Sequence, residues 1–288
     1  MRVTDIHVHI QPWWQLKPEA LAFIQAGHRH DAERIKGFLH DPKAFLAYMD
    51  EQGIHRCGLV NYPAPDTLGF TDETNDFVSK YVRDHPDRLL AYGGVHPRLG
   101  DPRGAPKEVK ALHEKGIRAL KIHPPHHLVH ANDHVRGNER LGAIYATAQE
   151  LGMPVMVHTG TSMFPGARNR FGNPLDLDDV LVDFPDLKVV MAHGGRPLWT
   201  REAFFLLRRF PEQLWLDVSS IPPRRMAEWF PRIDELYTQL LYGSDWPGPG
   251  PKELGDNVKA YRQLELPRPF FEAMFEDNAA RLFPEVPT

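Results

Sequence analysis

The sequence predicts an α/β fold of the (β/α)₈ TIM-barrel type, in which helices surround a closed parallel sheet. Short β-branched runs alternate with longer amphipathic runs through almost the whole chain of 288 residues. This alternation favours a parallel sheet with helical crossovers, and about 250 residues are typical of such a barrel as one domain. Histidine or aspartate ends several of the strand-like runs, where barrel active sites are built. We therefore expect one domain over residues 1–288, although a doubly wound sheet would give the same alternation.

Each predicted strand is a short run rich in β-branched or other apolar residues. The eight runs cover residues 3–10, 55–61, 89–95, 117–123, 154–158, 188–193, 214–219 and 240–245. Amphipathic helical patterns lie at residues 43–52, 72–84, 107–115, 138–151, 175–184, 199–209, 223–237 and 253–264. Two segments are additional: an insertion after strand 1 at residues 11–42, and a C-terminal helix at residues 267–283 that we expect on the barrel exterior.

Composition and charge exclude several classes of protein. The formal net charge is −4, from 34 basic and 38 acidic residues, so the chain lacks the basic excess of a nucleic-acid binder. It has no apolar run long enough for a transmembrane helix, and its N-terminus lacks the apolar core of a signal peptide. Its single cysteine, Cys57, cannot form an internal disulfide, which fits a reducing compartment. We expect a cytoplasmic protein that binds a small molecule, and homo-oligomer formation stays open.

Two histidines on the first predicted strand point to a metal site. Side chains alternate between the faces of a strand, so His7 and His9 lie on the same face, while Ile6 and Val8 lie on the other. In a barrel, the first face lines the lumen. The alternative is a pair of ordinary histidines in the barrel interior.

The pattern recurs on three later strands. The fifth and sixth predicted strands end in His158 and His193, and the eighth ends in Asp245. Because the C-terminal ends of barrel strands converge on one site, these side chains should meet. Imidazoles with a carboxylate suit Zn²⁺ or a similar divalent metal and leave a position for water. A single histidine at a strand end is more often a core residue, but the repetition favours the metal site.

The fourth strand carries a lysine inside an apolar run. A buried lysine is costly unless it is paired or chemically altered, so Lys121 could carry a carbamate that bridges two metal ions. It could equally pair with a barrel carboxylate or bind an anionic substrate group. His123, on the same strand face, would contact the substrate or support the metal ligands. The histidines of the following loop, such as His126 and His127, are expected to be solvated or hydrogen-bonded.

Four further side chains are candidates for substrate contact. Arg196 follows the sixth strand and could clamp a substrate carboxylate, or cap a helix or form a surface pair. Arg168, in the loop after strand five, either contacts the substrate or is solvated. Trp13 and Trp246 follow the first and eighth strands, and they either close over the substrate or pack the loops onto the barrel.

These residues resemble the amidohydrolase superfamily, and more closely its amidohydrolase-2 (amidohydrolase-related) family, over residues 5–283. The matching motifs are Asp5-Ile-His7-Val-His9, Leu120-Lys121-Ile-His123-Pro, Val157-His158-Thr-Gly, Ala192-His193-Gly-Gly, Gly243-Ser-Asp245-Trp-Pro and the C-terminal Asp277-Asn278-Ala-Ala-Arg281-Leu-Phe. The resemblance implies a distorted (β/α)₈ barrel that binds one or two divalent ions, commonly zinc.

The resemblance also implies residue roles and a range of reactions. His7, His9 and His158 would be direct ligands, and His193 would be a ligand or would steer the water and the developing charge. Asp245 would bind the metal and act as general base. Members hydrolyse amides, lactones or related bonds, but relatives decarboxylate aromatic or muconate-type acids and others hydrate double bonds. A metal-dependent hydrolase is the first interpretation, a non-oxidative decarboxylase the second, and a non-enzymatic metal-binding protein the third.

Overall fold

Eight parallel strands form one sheet whose order follows the sequence from the first strand to the eighth. A computed structural model describes residues 1–248 and 250–284. The strands are β1 (Thr4–Val8), β2 (Arg56–Val60), β3 (Leu89–Gly93), β4 (Ala119–Ile122), β5 (Val155–His158), β6 (Val189–Ala192), β7 (Leu214–Asp217) and β8 (Leu240–Leu241). With helices between them, these strands confirm the predicted α/β TIM barrel.

The barrel closes through an irregular eighth strand. β8 contains only two residues, but the chain beyond it continues to pair with β1: the amide of Ile6 donates to Tyr242 O at 2.9 Å, and the amide of Asp245 donates to His7 O at 2.8 Å. The backbone of Asp245 has a φ of 65°, which interrupts regular strand geometry. The regular strand is therefore shorter than the predicted one at residues 240–245, although the segment beyond it stays beside β1.

The helices surround the sheet and lie largely where the amphipathic patterns predict them. They are α1 (Pro18–Gly27), α2 (Ala32–His40), α3 (Pro42–Glu51), α4 (Glu73–Val82), α5 (Ala105–Glu114), α6 (Pro124–His127), α7 (Glu139–Glu150), α8 (Asp176–Asp183), α9 (Thr200–Arg209), α10 (Met226–Trp229), α11 (Asp256–Tyr261), α12 (Arg268–Glu272) and α13 (Asn278–Leu282). Helix α9 shows why an amphipathic pattern predicts a helix against the sheet: it buries Ala203, Leu206 and Leu207 and leaves Phe205 half exposed.

Two segments differ from the sequence prediction. The predicted helix at residues 223–237 is instead the short α10 and a 3₁₀ helix at Ile233–Gln239. Pro231 separates the two, since proline supplies no amide hydrogen and clashes with the preceding turn. The C-terminal helix is present, but a π-helical segment, Ala273–Asp277, joins α12 to α13.

The insertion after β1 is helical and packs onto the barrel-closing segment. It contains a 3₁₀ turn at Trp13–Gln15 followed by α1 and α2. Trp246 is fully buried against Phe38 of α2 and against Phe45 and Tyr48 of α3, with ring centroids 5.4–6.3 Å away. In the part of the chain that the structure describes, every helix is too short or too polar to cross a membrane.

Candidate active site

A cavity of about 360 Å³ opens where the C-terminal ends of the strands meet. The strand-end polar residues that line it are His7, His9, Lys121, His123, His158, His193 and Asp245. Parallel strands bring their C-terminal ends to one rim, which is why residues far apart in sequence share this cavity. The predicted metal ligands are therefore brought together.

Three donor groups converge most closely. The Nε2 atom of His9 lies 3.0 Å from Oδ1 of Asp245, and the Nε2 atom of His7 lies 3.6 Å from the same oxygen. All of their ligand atoms lie within 4.8 Å of one another. A second group with the same spacing combines His7 with His193 and Asp217. His7 belongs to both groups and so lies at the centre of the donor set.

Hydrogen bonds on the opposite ring nitrogens fix the imidazole tautomers. Nδ1 of His9 lies 3.2 Å from the carbonyl oxygen of Val60, and Nδ1 of His193 lies 3.0 Å from that of Ser219. Because a carbonyl oxygen only accepts, each Nδ1 carries a hydrogen, and in the neutral ring Nε2 is then the nitrogen that can bind a cation. Histidines that bind metals have this arrangement, with the second nitrogen held by a carbonyl or carboxylate.

Asp217 holds the third imidazole. Its Oδ2 lies 2.5 Å from Nδ1 of His7, and the carboxylate also accepts hydrogen bonds from the hydroxyl and amide of Ser219. Burial opposes ionisation, but the electrostatic interaction and hydrogen bond with His7 hold the pKa of Asp217 below its usual range. Burial likewise lowers the pKa of His7. A neutral His7 therefore donates from Nδ1 to an ionised Asp217 and directs its Nε2 lone pair towards Asp245.

This donor set fits a divalent cation. Burial opposes ionisation of Asp245, yet the hydrogen bond with His9 and the interactions with His7 and His193 keep its pKa well below the usual range. Its Oδ1 lies 3.0 Å from Nε2 of His9, which can donate to it, and 3.6 Å from Nε2 of His7. A divalent cation bound here would replace the proton on Nε2 of His9 and accept electron pairs from the two imidazoles and the carboxylate. Neutral imidazoles with a carboxylate are ligands that zinc and similar ions prefer.

The backbone is strained around the site. His193, Ser220 and Asp245 have φ values of 68°, 57° and 65°, in the left-handed region that residues with a Cβ rarely adopt. Such strain is common at functional sites. The hydroxyl of Ser220 donates to Oδ2 of Asp245 at 2.6 Å, so it satisfies one carboxylate oxygen while the other faces the histidines.

The sequence profile of the family described as Amidohydrolase matches residues 4–284 of the chain. The chain belongs to the amidohydrolase family. No curated protein sequence matches this amidohydrolase.

Solved structures share the fold of this amidohydrolase. An uncharacterised TIM-barrel protein from Bordetella bronchiseptica superposes with a TM-score of 0.77 at 22% identity, over 99% of both chains. A probable 2-pyrone-4,6-dicarboxylic acid hydrolase from Acinetobacter baumannii, with citric acid bound, gives 0.67 at 17% identity, over 99% of this chain and 100% of the other. An amidohydrolase from Burkholderia multivorans with bound zinc gives 0.62 at 14% identity, over 100% of both. At these identities the similarity concerns the fold alone.

Two predicted metal-site residues of this amidohydrolase lie in the cavity without polar partners. Nε2 of His158 and Nζ of Lys121 are buried and have no hydrogen-bond partner among the described residues. Burial lowers the pKa of Lys121 to about 8, although Asp217 and Asp245 favour its charged form. His158 belongs to neither close group of donors, but its ring centroid lies 4.6 Å from that of His193. Both side chains stay predictions as metal ligands.

The predicted substrate-contacting residues have different positions. Arg196, Trp13 and His123 line the cavity, and Arg196 donates to the carbonyl oxygen of Thr161 at 2.7 Å. Among residues 1–248 and 250–284, no carboxylate forms a salt bridge with Arg196. Its guanidinium group is therefore available to an anion.

Arg168 and Trp246 lie elsewhere. Arg168 is exposed at the surface, and Trp246 is buried in the aromatic cluster behind the cavity; neither is part of the cavity lining. The geometry supports the solvated interpretation of Arg168 and the packing interpretation of Trp246. His126 and His127, which were expected to be solvated or hydrogen-bonded, are buried and hydrogen-bonded.

Sequence reasoning missed Asp217, Ser219 and Asp5. Asp217 is the last residue of β7, but it lies inside the predicted strand at residues 214–219 and so did not stand out as a strand-end residue. Asp5 accepts hydrogen bonds from the amides of His7 and Ser244, and burial raises its pKa to about 7. These contacts connect β1 to the segment after β8, so they hold the strand that carries His7 against the segment that carries Asp245.

Proposed function

We propose that this amidohydrolase is a metal-dependent hydrolase that cleaves an amide, lactone or ester bond of a small carboxylate-bearing substrate. The observation that carries the proposal is the convergence of Asp245 with the Nε2 atoms of His7 and His9 in a cavity that also contains Arg196, which forms no salt bridge with any described residue. A charged carboxylate beside two imidazole nitrogens fits a cation site, and Arg196 fits an anionic substrate group.

The residues that would hold the metal are His7, His9, His193 and Asp245, with His158 and Lys121 as further candidates. We propose zinc, because imidazole and carboxylate ligands suit it and because the neighbour from Burkholderia multivorans carries bound zinc. When bound, such an ion supplies Lewis-acid chemistry, since it stabilises negative charge on an oxygen of the reacting group and makes water more acidic.

Asp245 is the proposed general base. Its pKa lies well below the usual range, so it is ionised at neutral pH and can accept a proton from the attacking water. The hydrogen bond from Ser220 orients the carboxylate, and the same group can return the proton to the leaving group. Burial and the nearby Arg196 keep the pKa of His193 well below its usual value. We therefore assign His193 to metal binding rather than to proton donation.

Arg196 is the proposed contact for the substrate carboxylate. A guanidinium group can form two parallel hydrogen bonds with a carboxylate. The neighbour from Acinetobacter baumannii is named for a dicarboxylic acid and contains citric acid, which supports an acidic substrate for this barrel. Such a contact would hold the substrate while Asp245 moves the proton.

Substitution of the general base tests the proposal. Asp245→Asn keeps the shape of the side chain but cannot accept the proton, so kcat should fall by about 10²–10⁴-fold. The variant should still fold, as judged by circular dichroism, and Asp186→Asn, which replaces an exposed carboxylate outside the cavity, should leave kcat unchanged. Near-normal turnover by Asp245→Asn would contradict the assignment.

Product analysis separates hydrolysis from non-oxidative decarboxylation, the alternative on this scaffold. Hydrolysis releases a new acid without CO₂, whereas decarboxylation releases CO₂ from the substrate carboxylate. Release of CO₂ with no new carboxyl group would replace the proposed hydrolase with a lyase.

A further inference from the structure

The lining of the active-site cavity is divided between two kinds of structure. The strand ends contribute polar side chains, whereas the loops contribute some polar side chains, such as Gln11, Ser162 and Arg196, together with the apolar ones. The latter are termed the apolar wall: Trp13, Leu16 and Ile24 of the insertion, Leu68 and Phe70 after β2, and Phe164 after β5.

The insertion and the loop after β5, which both contribute to the apolar wall, contact each other through aromatic rings. The ring of Phe164 lies 4.9 Å from that of Phe23 in α1, so the loop after β5 contacts the insertion. Trp13 is almost fully buried although it belongs to a surface insertion. This side of the cavity is thus formed by loops that pack against each other as a small apolar cluster.

A hydrogen-bonded histidine holds the Phe164 loop in place. The hydroxyl of Tyr62 lies 2.9 Å from Nδ1 of His126, and Nε2 of His126 lies 2.9 Å from the hydroxyl oxygen of Ser162. The amide of Phe164 donates to that same oxygen at 3.3 Å. His126 therefore holds the loop that carries Phe164. The position of Phe164 is fixed both by these hydrogen bonds and by its contact with Phe23.

We propose that the substrate carries an apolar hydrocarbon body beside its carboxylate, and so is an amphipathic carboxylic acid derivative rather than a compact polycarboxylate. This inference rests on the proposed function for the position of the carboxylate at Arg196. The apolar wall would exclude water from the hydrocarbon part, while the charged part lies among the strand-end residues. A second carboxylate placed against this wall would lose its hydration without gaining a partner.

Binding of simple acids to the zinc-loaded full chain tests the inference without requiring turnover. The probes are straight-chain monocarboxylates from butanoate to octanoate, with succinate for comparison, measured by isothermal titration calorimetry. Each added methylene should lower Kd about four-fold until the cavity is full. Phe164→Ala should weaken octanoate binding about ten-fold and butanoate binding less. Phe205→Ala, which removes a half-exposed ring outside the cavity, should behave like the wild type.

The outcomes distinguish this inference from the proposed function. A Kd that does not change with chain length, succinate binding tighter than hexanoate, or an unchanged profile in Phe164→Ala would each overturn the inference. Hydrolysis of a polar dicarboxylate derivative alone would leave the hydrolase proposal intact and reject the apolar body. Chain-length-dependent binding without release of a new acid from any ester or amide that also carries a free carboxylate would support the apolar body and reject the hydrolase proposal.

Discussion

Asp217 provides a test of how the donor set is organised, because it contacts His7 rather than Asp245. Substituting Asp217→Asn retains an oxygen that can accept from Nδ1 of His7 but removes the negative charge. The carboxylate is fully buried and also accepts two hydrogen bonds from Ser219. The change should therefore weaken the preference of His7 for the tautomer with a free Nε2 lone pair.

The expected size follows from this indirect position. Loss of a carboxylate that supports a ligating histidine costs about 10–100-fold in metal affinity, which corresponds to about 1.4–2.8 kcal/mol. A buried hydrogen bond to a charged group contributes a similar free energy, about 1.5–3 kcal/mol. If Asp217 were itself a ligand, as the second donor group would allow, the loss should exceed this range.

Zinc titration against a competing chelator measures the affinity. The matched control is Asp183→Asn, because Asp183 also pairs with a histidine, His134, at 2.9 Å but lies at the surface. Zinc affinity of the control should equal that of the wild type. An Asp217→Asn protein with unchanged affinity would refute the role of Asp217 in orienting His7.

Three further predictions concern packing and the metal. Gly243→Ala would place a Cβ 2.3 Å from Oδ1 of Asp217. The free energy of unfolding, measured with denaturant, should therefore fall by about 1–3 kcal/mol. The control Gly27→Ala meets no atom within 4 Å and should be as stable as the wild type. Trp246→Ala should cost about 3–5 kcal/mol in the same assay, as expected for a large buried ring, and a loss confined to substrate affinity would contradict its packing role. Chelation should lower the melting temperature, since zinc at 100-fold its Kd contributes about 2.7 kcal/mol; an unchanged value would argue against the cation site.

The strand ends explain why much of the site could be predicted from the sequence. A histidine or aspartate that interrupts an apolar run at a strand end can be recognised from the sequence alone. Barrel closure then brings these positions to one rim. This reasoning placed His158, His193 and Asp245 in the same cavity, and side-chain alternation along the first strand placed His7 and His9 there, as the structure has them. It did not extend to Asp217, since the carboxylate lies within the predicted strand at residues 214–219 rather than at its end.

Side-chain direction was harder to predict than strand position. Trp246 directly follows the cavity residue Asp245, and its ring lies on the opposite side, where it packs behind the cavity, as alternation along a strand would place it. Arg168 lies in a loop without periodicity, so the sequence gives no direction for its side chain. His126 is buried because its polar partners, Tyr62 and Ser162, come from other segments of the chain, and no local pattern reveals such partners.

The location of Trp246 has a consequence for redesign of the enzyme. Phe38 of the insertion and Phe45 and Tyr48 of the next helix pack against its ring. In the sequence, Trp246 directly follows Asp245. If only the insertion were replaced by that of another protein, the Trp246 ring would lose its packing partners in the insertion. The adjacent Asp245 carboxylate would then be displaced. Transfer of residues 11–51 as one unit, together with the residue at position 246, would exchange loops that line the cavity while keeping the Asp245 carboxylate in register.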